Sequence, residues 1–490
     1  MNTQKIFQTD HKQSRMRTCI RLSLLALLLA TGMFAPGLAR AAPNEEKLTL
    51  DGAGTQTNAP MAAAAYAPLG LLLVANHDSD TVSVFEMPVL GPVLDSMGDP
   101  LTLSVVDQPV AIAIWDDTSV MQSTPTVAYA FVAGYGDSAI SVIDLFAEPP
   151  VVLTDREIDL TLDEDINTPG PTALAVMGDE LFVATNGDGT VMRYDITDLP
   201  GMTPAHVDFP VDTTDRTSNA GNAIACTATA TVSPAGAKPR SLTVFEGFLW
   251  AGCTDGSVSQ ISPSDGAVTR IYDNTGGPSQ AAALAGDPRG NEILYVLDDD
   301  ATGERGIYAL DFTGGTLADP PYIENICDQG NAPRRSIPIP SGNATAMVPY
   351  DDPSDTTNWL VVLSTSSTGS NLTLVNVASI DPEGDVPECT LDAEDGISFT
   401  VPLTLGDPVF STTTTPNDLS QQIGVYGSYI AVPNYRASGG ADMVSLVTDA
   451  ALLEEAGPAV LAFGYNDGDA MTVEDNNVKT QVDMVFTTDE

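Results

Sequence analysis

The sequence predicts an all-β chain folded as a β-propeller of seven four-stranded blades, and three observations predict it. An apolar arm, a polar turn and a second, alternating arm recur along the chain, for example in residues 72–85, 130–144 and 181–195. β-branched and aromatic arms joined by Gly, Asn and Asp are typical of β-hairpins. Copies of this pattern return at long intervals, and the only modest helix candidate is the segment 446–456.

Residues 1–41 are expected to be a cleaved export signal. Basic residues precede the apolar run 22–35, and Ala39-Arg40-Ala41 supplies a small-x-small cleavage pattern. An uncleaved membrane anchor is the alternative, but the run is short for a membrane span and Pro36 interrupts it. We therefore expect an exported protein, whether periplasmic, cell-surface or secreted, with no membrane span once the leader is removed.

The chain is strongly acidic. It carries 19 Lys and Arg against 66 Asp and Glu, a formal net charge of −47. Six of the basic residues and one acidic residue lie in the leader, which leaves 13 basic and 65 acidic residues and a net charge of −52. Such a field repels nucleic acid and anionic lipid, so we expect neither as a partner. It also keeps the protein molecules apart, so we expect a monomer. The partner that we expect is a protein or a cell-envelope component. We favour adaptation of the whole surface to salt as the explanation of this charge over a specific acidic binding site.

The repeat places the propeller in residues 58–465, between a lead-in strand in 42–57 and a tail in 466–490. Small residues open the strand before most arms, as in 108–113, 170–175, 238–243, 278–283 and 342–347, and they suit a crowded innermost strand. Segments such as 101–105 and 268–272 supply the outer strand. The apolar arms centre near Val74, Val132, Val183, Trp250, Val296, Val361 and Ala431, which are 46–70 residues apart. Six or eight blades are also compatible with this spacing.

Closure of the ring has two candidates. Residues 47–50 pair with the last blade, or the tail strand 480–486 does. Pro433 interrupts the arm of the last copy, which a strand tolerates at an edge or a bulge but not at its centre.

Four cysteines follow the leader, and an even number in an exported chain predicts two disulfides. Three pairings are open. We expect the pairings that join neighbours in sequence, Cys226 with Cys253 and Cys327 with Cys389, because Cys226 and Cys327 lie in loop-like insertions that a bridge would hold.

The arms also resemble a known repeat. Val74-Ala75-Asn76 followed by Thr81-Val82-Ser83-Val84, and the closing residues Val142-Ile143-Asp144, resemble the YVTN-type β-propeller repeat. The resemblance is good in the first three copies and fades after Cys253. It implies a seven-bladed propeller of the kind found in exported or surface proteins of bacteria and archaea, here with longer loops.

Propeller geometry collects the hairpin turns on one face of the disc, and we expect any binding site there. The candidate ligand-binding residues are His77, Asp137, Asn186, Asp188, Asp255, Lys238 and Arg240. Asp298, Asp300 and Glu304 form the best local candidate for a calcium site, because alternating oxygen ligands suit a hard cation. Tight turns require the same Asp, Asn and Gly residues without any ligand. Lys238 and Arg240 either bind an anionic group or pair with neighbouring carboxylates, and we favour the pairing.

An enzymatic function has little support in the sequence. Only His77 and His206 follow the leader, too few for a multi-copper site. His77, in a turn that we expect to be exposed, is the only general base that we can nominate, and no G-x-S-x-G elbow is present. We therefore expect a non-catalytic binding or scaffolding module that needs no cofactor, with calcium as an option. The alternative is a metal-assisted, lactonase-like hydrolase that uses the channel mouth.

Overall fold

A computed structural model shows a seven-bladed β-propeller, as the sequence predicts. The chain divides into two compact units, residues 1–41 and 42–490, and every described residue belongs to the second. The described residues are 45–49, 59–87, 91–117, 125–162, 170–186, 189–199, 201–207, 223–224, 226, 237–271, 277–290, 292–299, 306–312, 322–323, 326–328, 333–339, 343–351, 358–366, 369–377, 398–403, 419–427, 429–433, 443–448, 464–466 and 469–472.

Each blade starts at its innermost strand and runs outward, and the first strand of the chain, β1 (Glu45–Thr49), belongs to the last blade. Blade one contains β2 (Pro60–Tyr66), β3 (Leu71–Asn76), β4 (Thr81–Glu86), β5 (Gly91–Pro92) and β6 (Thr102–Ser104). Blade two contains β7 (Pro109–Asp116), β8 (Ala128–Gly134), β9 (Ala139–Asp144), β10 (Val151–Val152) and β11 (Ile158–Asp159). Blade three contains β12 (Pro171–Met177), β13 (Glu180–Thr185), β14 (Thr190–Asp195), β15 (Ala205–His206) and β16 (Ala223–Ile224).

The remaining blades have four strands each. Blade four contains β17 (Pro239–Phe245), β18 (Phe248–Cys253), β19 (Val258–Ile261) and β20 (Val268–Ile271). Blade five contains β21 (Ala281–Gly286), β22 (Ile293–Asp298), β23 (Gly306–Asp311) and, after the small hairpin of β24 (Cys327–Asp328) and β25 (Pro333–Arg334), β26 (Ile337–Pro338). Blade six contains β27 (Asn343–Asp351), β28 (Asn358–Ser366), β29 (Gly369–Asn376) and β30 (Ser398–Leu403). Blade seven contains β31 (Gly424–Tyr426), β32 (Tyr429–Pro433), β33 (Met443–Thr448) and β1. A separate hairpin joins β34 (Gly464–Asn466) and β35 (Asp469–Thr472), and two 3₁₀ turns lie at Ala67–Leu69 and Leu160–Leu162.

The ring closes through the N-terminal strand. β1 pairs antiparallel with β33, and Lys47 lies opposite Ser445. This is the first of the two closures expected from the sequence. The tail strand 480–486 lies outside the described residues.

Two local expectations in blade seven needed the structure to resolve them. The helix expected from residue 446 is wrong where it is described, because Met443–Thr448 is the central strand β33 between β32 and β1. An apolar segment of this length does not distinguish helix from strand by its pattern alone. Pro433 is the last residue of β32, where its ring does not interrupt the middle of the ladder.

Packing between blades builds the core. The alternating faces of adjacent sheets interdigitate, so a buried apolar cluster lies between each pair of neighbours, including blades seven and one. Trp250 is an example, since its ring is fully buried against blade five and packs edge-on against Phe312. Each sheet therefore depends on both of its neighbours, and the ring is one continuous core.

A disulfide joins two of the predicted cysteines. Cys226 is bonded to Cys253, 27 residues away, and this confirms the first expected pair. Cys327 is also disulfide-bonded. Cys389 lies outside the described residues, so the second pairing stays a prediction.

Candidate functional site

The hairpin turns and the starts of the inner strands share one face of the disc, which we call the hairpin face. In blade one, for example, the first residue of β2 lies opposite the last residue of β3, where the turn into β4 begins. In blades one to four, one residue in the turn before the third strand has a left-handed backbone. These residues are Asp80, Ser138, Gly189 and Gly256. At Gly256, φ is +77° and a Cβ atom would lie only 1.9 Å from the carbonyl oxygen of Pro278, so only glycine fits.

Six inner strands share a β-bulge near their start, at the mouth of the central channel. The ladder skips one residue in each of these strands, and the skipped residues are Met61, Val110, Thr172, Arg240, Ala282 and Thr345. A bulge re-aims the side chain of the extra residue and ends regular pairing. These six residues form a ring on the hairpin face, which we call the bulge ring.

Arg240 carries the buried charge of the bulge ring. Its side chain is 2% exposed, and its Nη1 donates to Asp299 Oδ2 at 2.5 Å and to Gln280 Oε1 at 3.3 Å, both in blade five. The pairing that we favoured for Arg240 is thus present in the structure. Lys238, two residues earlier, accepts with its carbonyl oxygen from the backbone N–H of Thr254 at 2.9 Å.

A short segment of the chain crosses the channel mouth next to this ion pair. Residues 419–422, which we call the crossing segment, precede the inner strand of blade seven. The carbonyl oxygen of Leu419 accepts from Arg240 Nη2 at 3.4 Å, and Ser420 Oγ donates to the carbonyl oxygen of Ala282 at 2.7 Å. The carboxamide of Gln422 accepts from the N–H of Ile112 at 2.9 Å and donates to its carbonyl oxygen at 2.8 Å.

The crossing segment reaches most of the ring. Besides blades two, four and five, it hydrogen-bonds to Thr345 in blade six and to Met61 and Ala63 in blade one. Leu419 is fully buried in an apolar cluster with Met61, Val110 and other residues of blades one and two. The mouth where we expected a binding site is therefore filled by the chain itself. A cavity of about 270 Å³ remains in the channel between the inner strands and the segment.

Three of the candidate ligand residues on the hairpin face make hydrogen bonds to other groups of the protein. Asp137 Oδ2 accepts from the backbone N–H of Asp107 at 3.0 Å. Asp255 Oδ1 accepts from the backbone N–H and the hydroxyl of Ser257. Asn186 Nδ2 donates to the hydroxyl of Tyr135 at 3.2 Å.

His77 differs from the expected exposed turn residue, because it is only 6% exposed. Its Nδ1 lies 2.7 Å from Asp78 Oδ1, and its backbone N–H donates to the carbonyl oxygen of Ala59 at 3.0 Å. The turn is thus tied to the segment that enters blade one.

The calcium candidate is described only in part. Asp298 is buried and accepts from the backbone N–H groups of Ser279 and Gln280 at 3.1 and 3.0 Å. Asp188, Asp300 and Glu304 lie outside the described residues. Within the described ranges, no three His, Cys, Asp or Glu side chains are placed to hold a metal ion together.

The pKa of Asp107, on the hairpin face between blades one and two, is raised above its usual range. Burial, a hydrogen bond from its side chain to Asp80 and the charges of Asp80 and Asp137 raise the pKa of Asp107, while His77 lowers it. Asp80 Oδ1 also accepts from the backbone N–H of Gln108 at 3.0 Å. The fold therefore favours the protonated form of Asp107.

We expect Asp107→Asn to stabilise the protein at neutral pH. The contribution of Asp107 is complete below about pH 4, where the unfolded chain is also protonated, and it is lost as pH rises through the raised pKa. Asparagine keeps a donor towards Asp80 at every pH. Thermal melting between about pH 3 and 7 should therefore show a variant more stable than wild type at pH 7 and equal to it at the acid end. Asp99→Asn, at an exposed position, is the control, and a constant difference at all pH values would contradict the raised pKa of Asp107.

A groove on the opposite face was not expected from the sequence. It lies between blades one and two, at the strand ends away from the hairpin face, and its volume is about 610 Å³. We call it the blade 1–2 groove. Its apolar wall consists of Leu69, Leu71, Val93, Leu94, Phe146 and Pro149. Leu69 and Leu94 remain 39% and 51% exposed. Asp144 Oδ1 accepts from the backbone N–H groups of Phe146 and Ala147, which holds one wall in place.

Exposed apolar side chains are concentrated around this groove. Among the described residues, six large hydrophobic side chains are exposed. Leu69 and Leu94 line the groove, and Met97 and Val151 lie within three residues of its lining in the chain. Concentrations of this kind mark binding surfaces, whereas isolated exposed apolar residues do not. In the sequence, the residues of this surface are visible only as short apolar stretches in turns. β-Propensity alone does not distinguish such stretches from segments of the buried core.

Comparisons with known proteins assign this chain to no family. No protein-family model matches this chain, and no curated protein matches it. Among solved structures, hydrazine synthase of Kuenenia stuttgartiensis is similar over 85% of this chain and 100% of its own, with 14% identity and a TM-score of 0.48. A chain of the mitotic checkpoint complex covers 85% of this chain and 97% of its own, with 9% identity and a TM-score of 0.46. The computationally designed protein Ika8 covers 82% and 99%, with 14% identity and a TM-score of 0.37. The YVTN repeat stays a resemblance.

Proposed function

We propose that this chain is an exported, non-catalytic propeller that acts as a binding or scaffolding module in the periplasm or at the cell surface. The observation that carries the proposal is the blade 1–2 groove, an apolar recess on a rigid disc that leaves large side chains in contact with solvent. Its volume is in the range of a ligand-binding cleft. We expect the partner to be a protein or another component of the cell envelope.

The filled channel mouth also supports a binding function over a catalytic one. On the hairpin face, the crossing segment and the Arg240–Asp299 pair occupy the position where a substrate of a lactonase-like hydrolase would enter. Asp137 and Asp255 are engaged in backbone contacts. No cofactor is part of the proposal.

Export is supported by the predicted leader and by the disulfide, since disulfides persist in oxidising compartments. In the part of the chain that the structure describes, no helix is long and apolar enough to cross a membrane. Secretion of the chain with cleavage after Ala41 is the expected result, and N-terminal sequencing of the exported protein checks it.

Site-specific photocrosslinking tests the binding function. A photoreactive amino acid at Met97, beside the groove, should give a discrete crosslinked product with the exported proteins of the source cell. The same group at exposed Met202, in blade three, should not. Equal crosslinking at both positions, or turnover of lactone or ester substrates that Asp137→Asn abolishes, would overturn the proposal.

A further inference from the structure

The blade 1–2 groove lies in a part of the chain that is acidic and almost without basic residues. No Lys or Arg occurs between Lys47 and Arg156, whereas that interval contains 13 Asp and Glu. Arg156 itself is engaged, because it donates to Asp155 Oδ2 at 2.9 Å and to the carbonyl oxygen of Gly201 at 3.0 Å. Across residues 48–155, blades one and two therefore carry a negative charge that Arg156, which is paired with Asp155, does not balance.

Two of these carboxylates belong to the groove. Glu86, at the end of β4, and Glu148, in the loop after β9, both line it and are both exposed. The groove thus has an apolar lining, which we call its floor, and an acidic rim, and each of the two blades contributes one side of it. An apolar ligand that carries negative charge would be repelled, and a neutral one would leave the rim uncompensated.

We infer that the blade 1–2 groove binds a cationic, apolar segment of another protein, a conclusion that rests on the proposed binding function. Large apolar side chains of that segment cover Leu69 and Leu94, and flanking Lys or Arg residues face Glu86 and Glu148. Burial of the apolar side chains supplies most of the affinity, because a few well-packed anchors dominate interfaces. The charges supply discrimination and a faster association rate.

Other occupants fit less well. A second copy of this chain carries the same strong negative charge, which opposes association. Anionic lipid and nucleic acid are repelled for the same reason. A cationic segment is the partner whose chemistry matches both the floor and the rim.

Three labelled synthetic peptides test the inference with the mature protein. The first alternates Leu or Phe with Lys, the second replaces each Lys with Glu, and the third keeps Lys but replaces the apolar residues with Ser. Fluorescence anisotropy should show the first peptide binding at least about tenfold more tightly than either of the others. Its affinity should fall between about 0.05 and 0.5 M salt without disappearing, because the apolar floor is not screened.

Variants locate the site. Leu94→Ser should weaken the first peptide about tenfold or more. The double variant Glu86→Gln/Glu148→Gln should weaken it about threefold or more at low salt and flatten the salt dependence. Two exposed controls, Met202→Ser and Asp179→Asn, should stay within about twofold of wild type. Thermal melting of every variant shows that the comparison is made between folded proteins.

The results that would overturn the inference are distinct from those that would overturn the binding function. Equal binding of the acidic peptide, equal binding of the first peptide to Leu94→Ser, or no binding at about 1 mM overturns the cationic partner. A dimer that Leu94→Ser converts to a monomer identifies a second copy as the occupant and also overturns it. If photocrosslinking at Met97 still succeeds in any of these cases, the binding function stands and only the chemistry of the partner is wrong.

Discussion

Replacement of Arg240 by methionine should destabilise the protein by about 3–5 kcal/mol, the usual result of removing one partner of a buried ion pair. Asp299 would lose the charge of Arg240 while its own side chain is 11% exposed. The variant would also lose the hydrogen bond from Arg240 to the crossing segment. Urea unfolding at pH 7 measures the free-energy change.

The double variant Arg240→Met/Asp299→Leu tests whether the loss of stability comes from the unpaired charge or from lost packing. With both charges replaced by apolar side chains, the stability should return most of the way to that of wild type. Arg156→Met is the control, because Asp155 is 72% exposed and such a pair is worth about 1 kcal/mol or less. A loss at Arg240 as small as the loss at Arg156 would contradict the assignment of a buried pair.

Gln422→Leu should destabilise the protein by about 2–6 kcal/mol. Its carboxamide satisfies both the N–H and the carbonyl oxygen of Ile112 on the inner strand of blade two. Leucine has a similar volume but leaves two buried backbone groups without that partner, at about 1–3 kcal/mol each. The crossing segment would also lose one of its links to the ring.

Hydrogen exchange gives this prediction a local readout. The amide of Ile112 should exchange faster in Gln422→Leu, while the amides of blade four keep their wild-type rates. Gln260→Leu, at a half-buried position in β19, is the matched control and should leave Ile112 unchanged. Unchanged exchange at Ile112 in Gln422→Leu would show that the crossing segment does not support blade two.

The blades were predictable because their signal is local. A strand with one buried face alternates every second residue, and a tight turn requires residues such as Asp80 or Gly256 that accept a left-handed backbone. These constraints act within about fifteen residues, so a single sequence displays them. The order of the blades, their apolar arms and the small residues of the inner strands follow from them.

The sites were predictable only where a local reason existed. The pairing of Arg240 was favoured because an acidic chain offers many carboxylates, and the structure identifies its partner as Asp299, 59 residues away. His77 looked exposed because a turn is usually at the surface, but the structure buries it, and its backbone bonds to Ala59, 18 residues earlier. The blade 1–2 groove had no signal of its own, since Leu94 and Phe146 resemble ordinary apolar turn residues until two blades meet.

The sequence by itself determined the all-β class, the repeated hairpin of the blades and the acidic character of the chain, because each of these depends on composition or on short-range pattern. It favoured seven blades and the Cys226–Cys253 pair, and the structure confirmed both. The tertiary structure alone decided that the chain fills its own channel mouth and that an apolar groove opens on the other face. Gln422 meets Ile112 across 310 residues of sequence. Contacts of that range exist only when the ring closes and brings distant strands together, and no local propensity encodes them.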